Sequence, residues 1–135
     1  MKNDISTRNP YYIPKYRYLE LKNFCLQYYT WFSAYDSLDG LSKRPNDLAL
    51  FQKDGQKTSP TERCVIAKQR FKNKIDMVFY SVQEACADNE QIAPFLLNAV
   101  GCGKSYNDFK NPQFTRGDYY RHYRKFFYIL SKKRD

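Results

Sequence analysis

The chain has 135 residues, which is enough for one domain that buries a sizeable core. Aromatic residues reach 18% of the composition, and so many large apolar rings exclude a wholly disordered chain. No apolar run approaches the roughly twenty residues that a membrane-spanning helix needs, and the first residues lack the apolar stretch of a secretion signal. We therefore expect a cytoplasmic protein without a membrane partner.

The net charge is +9 and is concentrated near the end of the chain. Residues 110–135 hold eight basic and two acidic side chains, so this fifth of the sequence contributes +6. Such polarised charge favours a polyanionic partner, with nucleic acid as the leading candidate. The alternative interpretation is a solvated basic tail, but aromatic residues interleave this charge at helical spacing.

The first half of the chain is predicted to be an irregular arm, a helical region and a loop. Residues 1–14 contain two prolines and no periodicity. Apolar residues at steps of three and four predict helix over 15–38, either continuous or broken near Tyr29-Thr30, and ending at Gly40. Turn residues predict a loop over 39–59, with its middle tethered to the core by Leu48, Leu50 and Phe51.

A long helix is predicted over residues 60–87. Ser59, Pro60 and Glu62 have the order of a helix cap, a first-turn proline and a capping acid. An apolar stripe follows, made of Cys64, Ala67, Phe71, Ile75, Val78, Val82 and Ala85. The stripe packs either on the first helical region or on a partner chain, so a homodimer stays open.

The pattern over residues 88–135 predicts a helix-turn-helix-like unit. Asp88-Asn89-Glu90 are expected to cap a helix over 92–100 that ends at Gly101-Cys102-Gly103. Ser105 is expected to cap a short helix, and Thr115 a final helix through about Lys132. No segment alternates like a strand, so residues 15–135 are predicted to form a single all-α domain.

The final helix carries the candidate DNA-binding residues. Its predicted buried face contains Tyr119, Tyr123, Phe126 and Leu130, and the other residues would meet DNA. Near the helix start, Arg116 suits guanine readout because guanidinium can donate two parallel hydrogen bonds. Arg121, Arg124 and Lys125 suit phosphate contacts, as does the Tyr120 hydroxyl. Gly117 leaves room for the backbone to approach the DNA closely. The candidate nucleic-acid-binding residues are Arg116, Gly117, Tyr120, Arg121, Arg124 and Lys125.

Residues 61–133 resemble phage late-gene transcription regulators of the ArpU and RinA type, whose C-terminal half is similar to region four of bacterial sigma factors. The matching motifs are Ala67 with Lys74-Ile75-Asp76, the Ile92–Val100 segment, Gly103-Lys104-Ser105-Tyr106, and Thr115-Arg116 through Tyr119-Tyr120-Arg121. The segments Tyr18–Lys22 and Phe24–Tyr28 also resemble uncharacterised prophage proteins of Gram-positive bacteria.

This resemblance implies a regulator of phage or prophage genes in a bacterial host, with Arg116, Tyr120 and Arg121 at recognition positions. It also implies a possible partnership with RNA polymerase. The chain departs from the family pattern at residues 109–114, which contain Pro112 and replace an Ile-Ala or Leu-Ala ending and a short glycine turn. Pro112 is therefore expected to change the angle between the two helices of the unit.

The sequence argues against an enzyme, a cofactor and a metal site. The sole histidine, His122, has no carboxylate or cysteine at an informative spacing, so it is expected on the surface of its helix or half-buried. The four cysteines are far apart and are expected to be free or buried thiols. The carboxylates Glu84, Asp88 and Glu90 are expected to cap helix ends.

Two other functions stay open beside DNA regulation. A platform of Tyr11, Tyr12, Tyr16 and Tyr18 beside Lys15 and Arg17 would stack the bases of single-stranded DNA or RNA. Alternatively, the basic helix would dock on an acidic protein surface, as in a phage-encoded inhibitor of a host nucleoprotein complex. An acidic protein would tolerate Arg-to-Lys changes, whereas guanine readout requires the planar guanidinium.

Overall fold

The computed structural model describes residues 9–41 and 60–134. Within these ranges the chain forms α-helices and one 3-10 turn without a strand, which confirms the predicted all-α class. The helices are α1 (Lys15–Cys25), α2 (Tyr28–Leu41), α3 (Pro60–Ala85), α4 (Ile92–Cys102) and α5 (Arg116–Lys133), with the 3-10 turn at Tyr106–Asp108. The predicted tether of Leu48, Leu50 and Phe51 lies outside the described residues. None of the described helices is both long and apolar enough to cross a membrane.

The residues group into two compact units, divided after Tyr28 and again at Met77 within α3. The larger unit contains α1, the end of α3, α4, the 3-10 turn and α5. The smaller unit contains most of α2 and the first part of α3.

The core of the larger unit forms where α1, α4 and α5 pack together. The predicted buried face of α5 is confirmed, since Tyr119, Phe126 and Leu130 are fully buried and Tyr123 is 8% exposed. α1 adds Leu21 and α4 adds Leu96 to this core, both at 0% exposure. Burial of these large apolar side chains, at about 25 cal/mol for each Å² removed from water, is what holds α5 in place.

The first helical region is two helices, but the break differs from the predicted one. α1 ends at Cys25, where the Leu26 and Gln27 amides bond back to the carbonyls of Lys22 and Phe24. The aromatic residues around Thr30 stay helical, because Tyr28 and Trp31 are each only 3% exposed and their burial outweighs a low helix propensity. α2 also continues through Gly40 to Leu41, beyond its predicted end.

The smaller unit is held by contacts between α2 and α3. Leu38 and Cys64 are buried together, with Ala67 and Phe71 packed against them. The Cys64 thiol donates a hydrogen bond to the Leu38 carbonyl at 3.0 Å. The start of the predicted α3 stripe therefore packs on the first helical region of the same chain.

Local capping chemistry sets the ends of several elements as predicted. The Thr115 side chain accepts a hydrogen bond from the Asp118 amide at 3.1 Å and so caps α5. Ser105 and Asp108 form a reciprocal capping box on the 3-10 turn. Gly103 ends α4 in the left-handed region, with φ of +71°. The four cysteines are free, and three of them, Cys25, Cys64 and Cys86, are buried.

The predicted cap of α4 is wrong. Gln91 occupies the cap position with helical backbone angles and makes no side-chain hydrogen bond to the helix. A turn that joins the Asn89 amide to the Cys86 carbonyl leads into α4, and the Asp88 carboxylate instead binds a histidine of α5.

Candidate nucleic-acid interface

The outer face of α5 is basic along most of its length. Seven residues of this helix are buried, and they occupy one broad side of it. Residues at steps of three, four and seven share a face of a helix, so the opposite side groups Arg121, Arg124, Lys125 and Lys132. Lys132 was not among the predicted site residues, although its spacing from Arg121 and Lys125 in the sequence was a sufficient signal.

Arg116 is exposed in the first turn of α5, on the side of the helix that Tyr119, Tyr120 and Tyr123 occupy further along, and not on the side of Arg121. Its guanidinium lies 5.5 Å from the centre of the Tyr120 ring, a cation–π contact. Gly117 is exposed, and a Cβ atom placed there would come no closer than 4.0 Å to the Thr115 hydroxyl oxygen. Folding therefore does not require glycine at 117, and its small size is free to serve a contact with a partner.

Tyr120 does not lie on the outer face, so this part of the prediction is wrong. The side chain is 8% exposed, and its ring contacts the rings of Tyr119 at 5.0 Å and Tyr123 at 5.7 Å. The buried side of α5 is wider than the predicted stripe, since it also contains Tyr120, His122 and Phe127. Tyr120 is thus a core residue that supports Arg116 through its ring.

Arg121 and Lys125 line the same shallow depression beside Asp88 and His122. The Arg121 side chain is 61% exposed, and its guanidinium lies 3.8 Å from Asp88 and 3.9 Å from Asp118. Ion pairs this exposed contribute little to stability and exchange readily for another anion. Arg124 and Lys125 are half-buried, and none of the described ion pairs of α5 uses either of them.

His122 is fully buried, whereas the sequence predicted a surface or half-buried position. It is 2% exposed, and its two ring nitrogens lie 2.7 Å from the Asp118 carbonyl oxygen and 2.8 Å from an Asp88 carboxylate oxygen. The Asp118 carbonyl oxygen can only accept, so Nδ1 of His122 donates to it, while Nε2 faces the Asp88 carboxylate. The hydrogen bond from His122 lowers the pKa of Asp88 below its ordinary value. No spacing in the sequence predicts this pair, whose members are 34 residues apart.

An aromatic cluster fixes the start of α5. The rings of Tyr106, Phe109, Phe114 and Tyr119 lie in mutual contact, with centroids 5.1–6.2 Å apart. The Tyr106 hydroxyl also donates to the Phe114 carbonyl at 2.9 Å. Asn111 turns the chain between these rings with a positive φ of 49°. The segment that departs from the family pattern thus has its own packed structure.

The four N-terminal tyrosines do not form one exposed platform. Tyr18 is 3% exposed, and the Tyr11 ring packs on the Tyr128 ring at 5.6 Å. Tyr16, at 81% exposure, is the most open of the four. The Arg17 guanidinium is engaged by Glu20 and by Ser131 of α5.

The part of the chain that the structure describes contains no group of three or more side chains placed to hold a metal ion. Comparison of the chain with models of protein families, with curated proteins and with solved structures finds no match.

Proposed function

We propose that this protein binds double-stranded DNA through α5 and acts as a phage-type transcription regulator. The observation that carries the proposal is the division of α5 into a buried aromatic side and an outer side bearing Arg121, Arg124, Lys125 and Lys132. A helix that enters the major groove needs this division, because one side must be held by the protein while the other meets the DNA.

The elements around α5 support a helix-turn-helix unit. α4, the 3-10 turn and α5 follow one another in the chain, and α4 and α5 pack together. The cap at Thr115 and the aromatic cluster position the first turn of α5, where Arg116 is exposed. The resemblance of residues 61–133 to late-gene regulators adds the finer proposal, that the target is a phage or prophage gene.

The roles within α5 follow from position. Arg116, at the first turn, reads bases, since groove-reading helices contact base edges with their N-terminal residues. Arg124 and Lys125, which the described ion pairs leave unused, contact phosphates and bind all duplexes alike. Arg121 exchanges its carboxylate neighbours for a phosphate.

Fluorescence anisotropy with labelled random duplex DNA, single-stranded DNA and RNA, across a salt series, tests the proposal. We expect the duplex to bind most tightly, and Arg124→Ala and Lys125→Ala each to weaken it. Arg70→Ala, an exposed arginine of α3, is the control for lost charge and should have little effect. Preference for single strands would contradict the proposal.

Selection of a preferred site from random DNA tests the base-reading role of Arg116. We expect Arg116→Ala and Arg116→Lys to reduce the preference for that site over random duplex, by about tenfold or more if two hydrogen bonds to guanine are lost. Arg124→Ala should weaken both duplexes equally. An unchanged preference in Arg116→Ala would refute this division of roles.

The second candidate is a protein-interaction module directed at a host nucleoprotein complex such as RNA polymerase. It is favoured by exposed apolar side chains on α3, where Val65 is 61% and Ile66 is 44% exposed. Apolar side chains on an outer helix face are typical of protein contacts. Failure to bind any nucleic acid at low salt would favour this candidate over DNA binding.

A further inference from the structure

A pocket of about 110 Å³ lies in the larger unit, between α1, the end of α4 and the buried side of α5. It is distinct from the outer basic face of α5. Four tyrosines line it, Tyr18 from α1 and Tyr119, Tyr120 and Tyr123 from α5. Its lining also contains Lys22 of α1 and Lys104, which directly follows the glycine that ends α4.

The tyrosines that line the pocket carry hydroxyl hydrogens that have no acceptor among the described residues. Tyr119 is fully buried, and its hydroxyl has no hydrogen-bond partner. The hydroxyls of Tyr18 and Tyr123 lie 2.7 Å apart. Each phenol has one hydrogen, so only one of the two can donate within this pair, and the other hydrogen is left for a further acceptor. A buried donor without an acceptor costs free energy, which an acceptor supplied by a ligand would recover.

The charge of the lining has one sign. Lys22 and Lys104 are two exposed lysines, and among the residues that the structure describes no aspartate or glutamate lines the pocket. Burial raises the pKa of Tyr18, Tyr119 and Tyr123 above the ordinary value of 10.0, so these phenols keep their hydrogens and act as donors at neutral pH. The pocket thus offers O–H and N–H⁺ donors to a ligand that accepts.

The size of the pocket restricts the ligand. Its volume is several times the roughly 10–15 Å³ that one ordered water needs and below the roughly 300–1,000 Å³ of sites for drug-sized molecules. Residues with donor groups line the pocket on α1, at Lys104 beyond α4 and on α5, and donors from three parts of the chain suit a group with several acceptor oxygens. We propose that this pocket binds a phosphate group, either of a free phosphate or nucleotide or of a nucleic-acid end.

Isothermal titration calorimetry of the full chain with inorganic phosphate, at matched ionic strength in chloride, tests the proposal. We expect saturable binding and a rise in Tm with phosphate. Tyr119→Phe and Lys104→Ala should each weaken phosphate binding at least tenfold, whereas the matched controls Tyr16→Phe and Lys110→Ala, both of exposed residues, should not.

Tyr119→Phe separates binding from folding. It removes a hydroxyl without a partner, so without phosphate its Tm should equal or exceed that of the wild type, while the increase caused by phosphate should shrink. Three results would each overturn the proposal. They are absence of phosphate binding, wild-type phosphate affinity in Tyr119→Phe and in Lys104→Ala, and acetate binding as tight as phosphate binding.

Two further ligands identify the source of the phosphate group. Binding of adenosine monophosphate as tight as that of inorganic phosphate would assign the pocket to small phosphates. Much tighter binding of a 5′-phosphorylated oligonucleotide than of its unphosphorylated form would assign it to nucleic-acid ends. A protein with both Arg124→Ala and Lys125→Ala should lose affinity for duplex DNA yet retain phosphate binding in the pocket. The DNA-binding proposal and the phosphate proposal can therefore be tested independently.

Discussion

The hydrogen bond between Asp88 and His122 joins the turn after α3 to the buried side of α5. The pKa of Asp88 is lowered in the folded chain, chiefly by this bond, so on acidification the unfolded chain takes up a proton first. The stabilisation is therefore complete above the ordinary aspartate pKa of about 3.9 and is lost as the pH falls through the lower folded value.

We expect Asp88→Asn to lower the urea midpoint at pH 7 and to reduce the loss of stability between pH 5 and pH 3. Urea unfolding followed by circular dichroism at several pH values measures both effects. Glu90→Gln, which removes a nearby exposed carboxylate with no such bond among the described residues, is the matched control. Identical pH profiles for wild type and Asp88→Asn would contradict the assigned role.

At the scale of elements, the start of α5 depends on its cap. The Thr115 hydroxyl oxygen accepts from the Asp118 amide, which would otherwise lack an intrahelical partner. Replacing such a cap with alanine costs about 1 kcal/mol. Thr115→Ala should therefore lower the free energy of unfolding by about that amount, and Thr115→Ser should retain most of it. Urea unfolding of the two variants provides the comparison, and equal stabilities would refute the capping role.

The end of α4 depends on glycine for two reasons. Gly103 has φ of +71°, and a Cβ atom there would come within 3.2 Å of the Leu26 side chain. The left-handed conformation alone costs an alanine roughly 1–2 kcal/mol. Gly103→Ala is therefore expected to destabilise the chain by at least about 1 kcal/mol in urea unfolding. Gly117→Ala is the matched control, because φ is not positive there and the space is open, and it should be neutral or stabilising.

The sequence alone predicts the local features of these elements but not those that depend on distant residues. The caps at Ser105 and Thr115, the end at Gly103 and the main buried face of α5 were predictable, because each depends on residues within a few positions. The break between α1 and α2 and the burial of Tyr120 depend on side chains packed from other elements. The Asp88–His122 pair and the tyrosine pocket also join segments that are distant in the sequence. Residue spacing therefore could not predict either of them.

At the scale of the whole molecule, the net charge of +9 should make DNA binding strongly dependent on salt. The three phosphate contacts assigned to Arg121, Arg124 and Lys125 would give a slope of log K against log salt of roughly −2.7, since each contributes about −0.9. Combining Arg124→Ala with Lys125→Ala should make that slope shallower by about 2. Arg70→Ala provides the control for net charge, and an equal change in its slope would show that binding follows total charge rather than α5.

The contacts in the smaller unit bear on the oligomeric state. Leu38, Cys64, Ala67 and Phe71 already pack together within one chain, so this part of the α3 stripe does not need a partner chain to cover it. We therefore expect sedimentation velocity to give the mass of one chain, 16.2 kDa, even at high protein concentration. A regulator that binds as a monomer would select an operator without two-fold symmetry, because palindromic operators mirror the symmetry of a protein dimer. A sedimenting mass of two chains, together with a palindromic selected site, would contradict this prediction and restore α3 as a dimer interface.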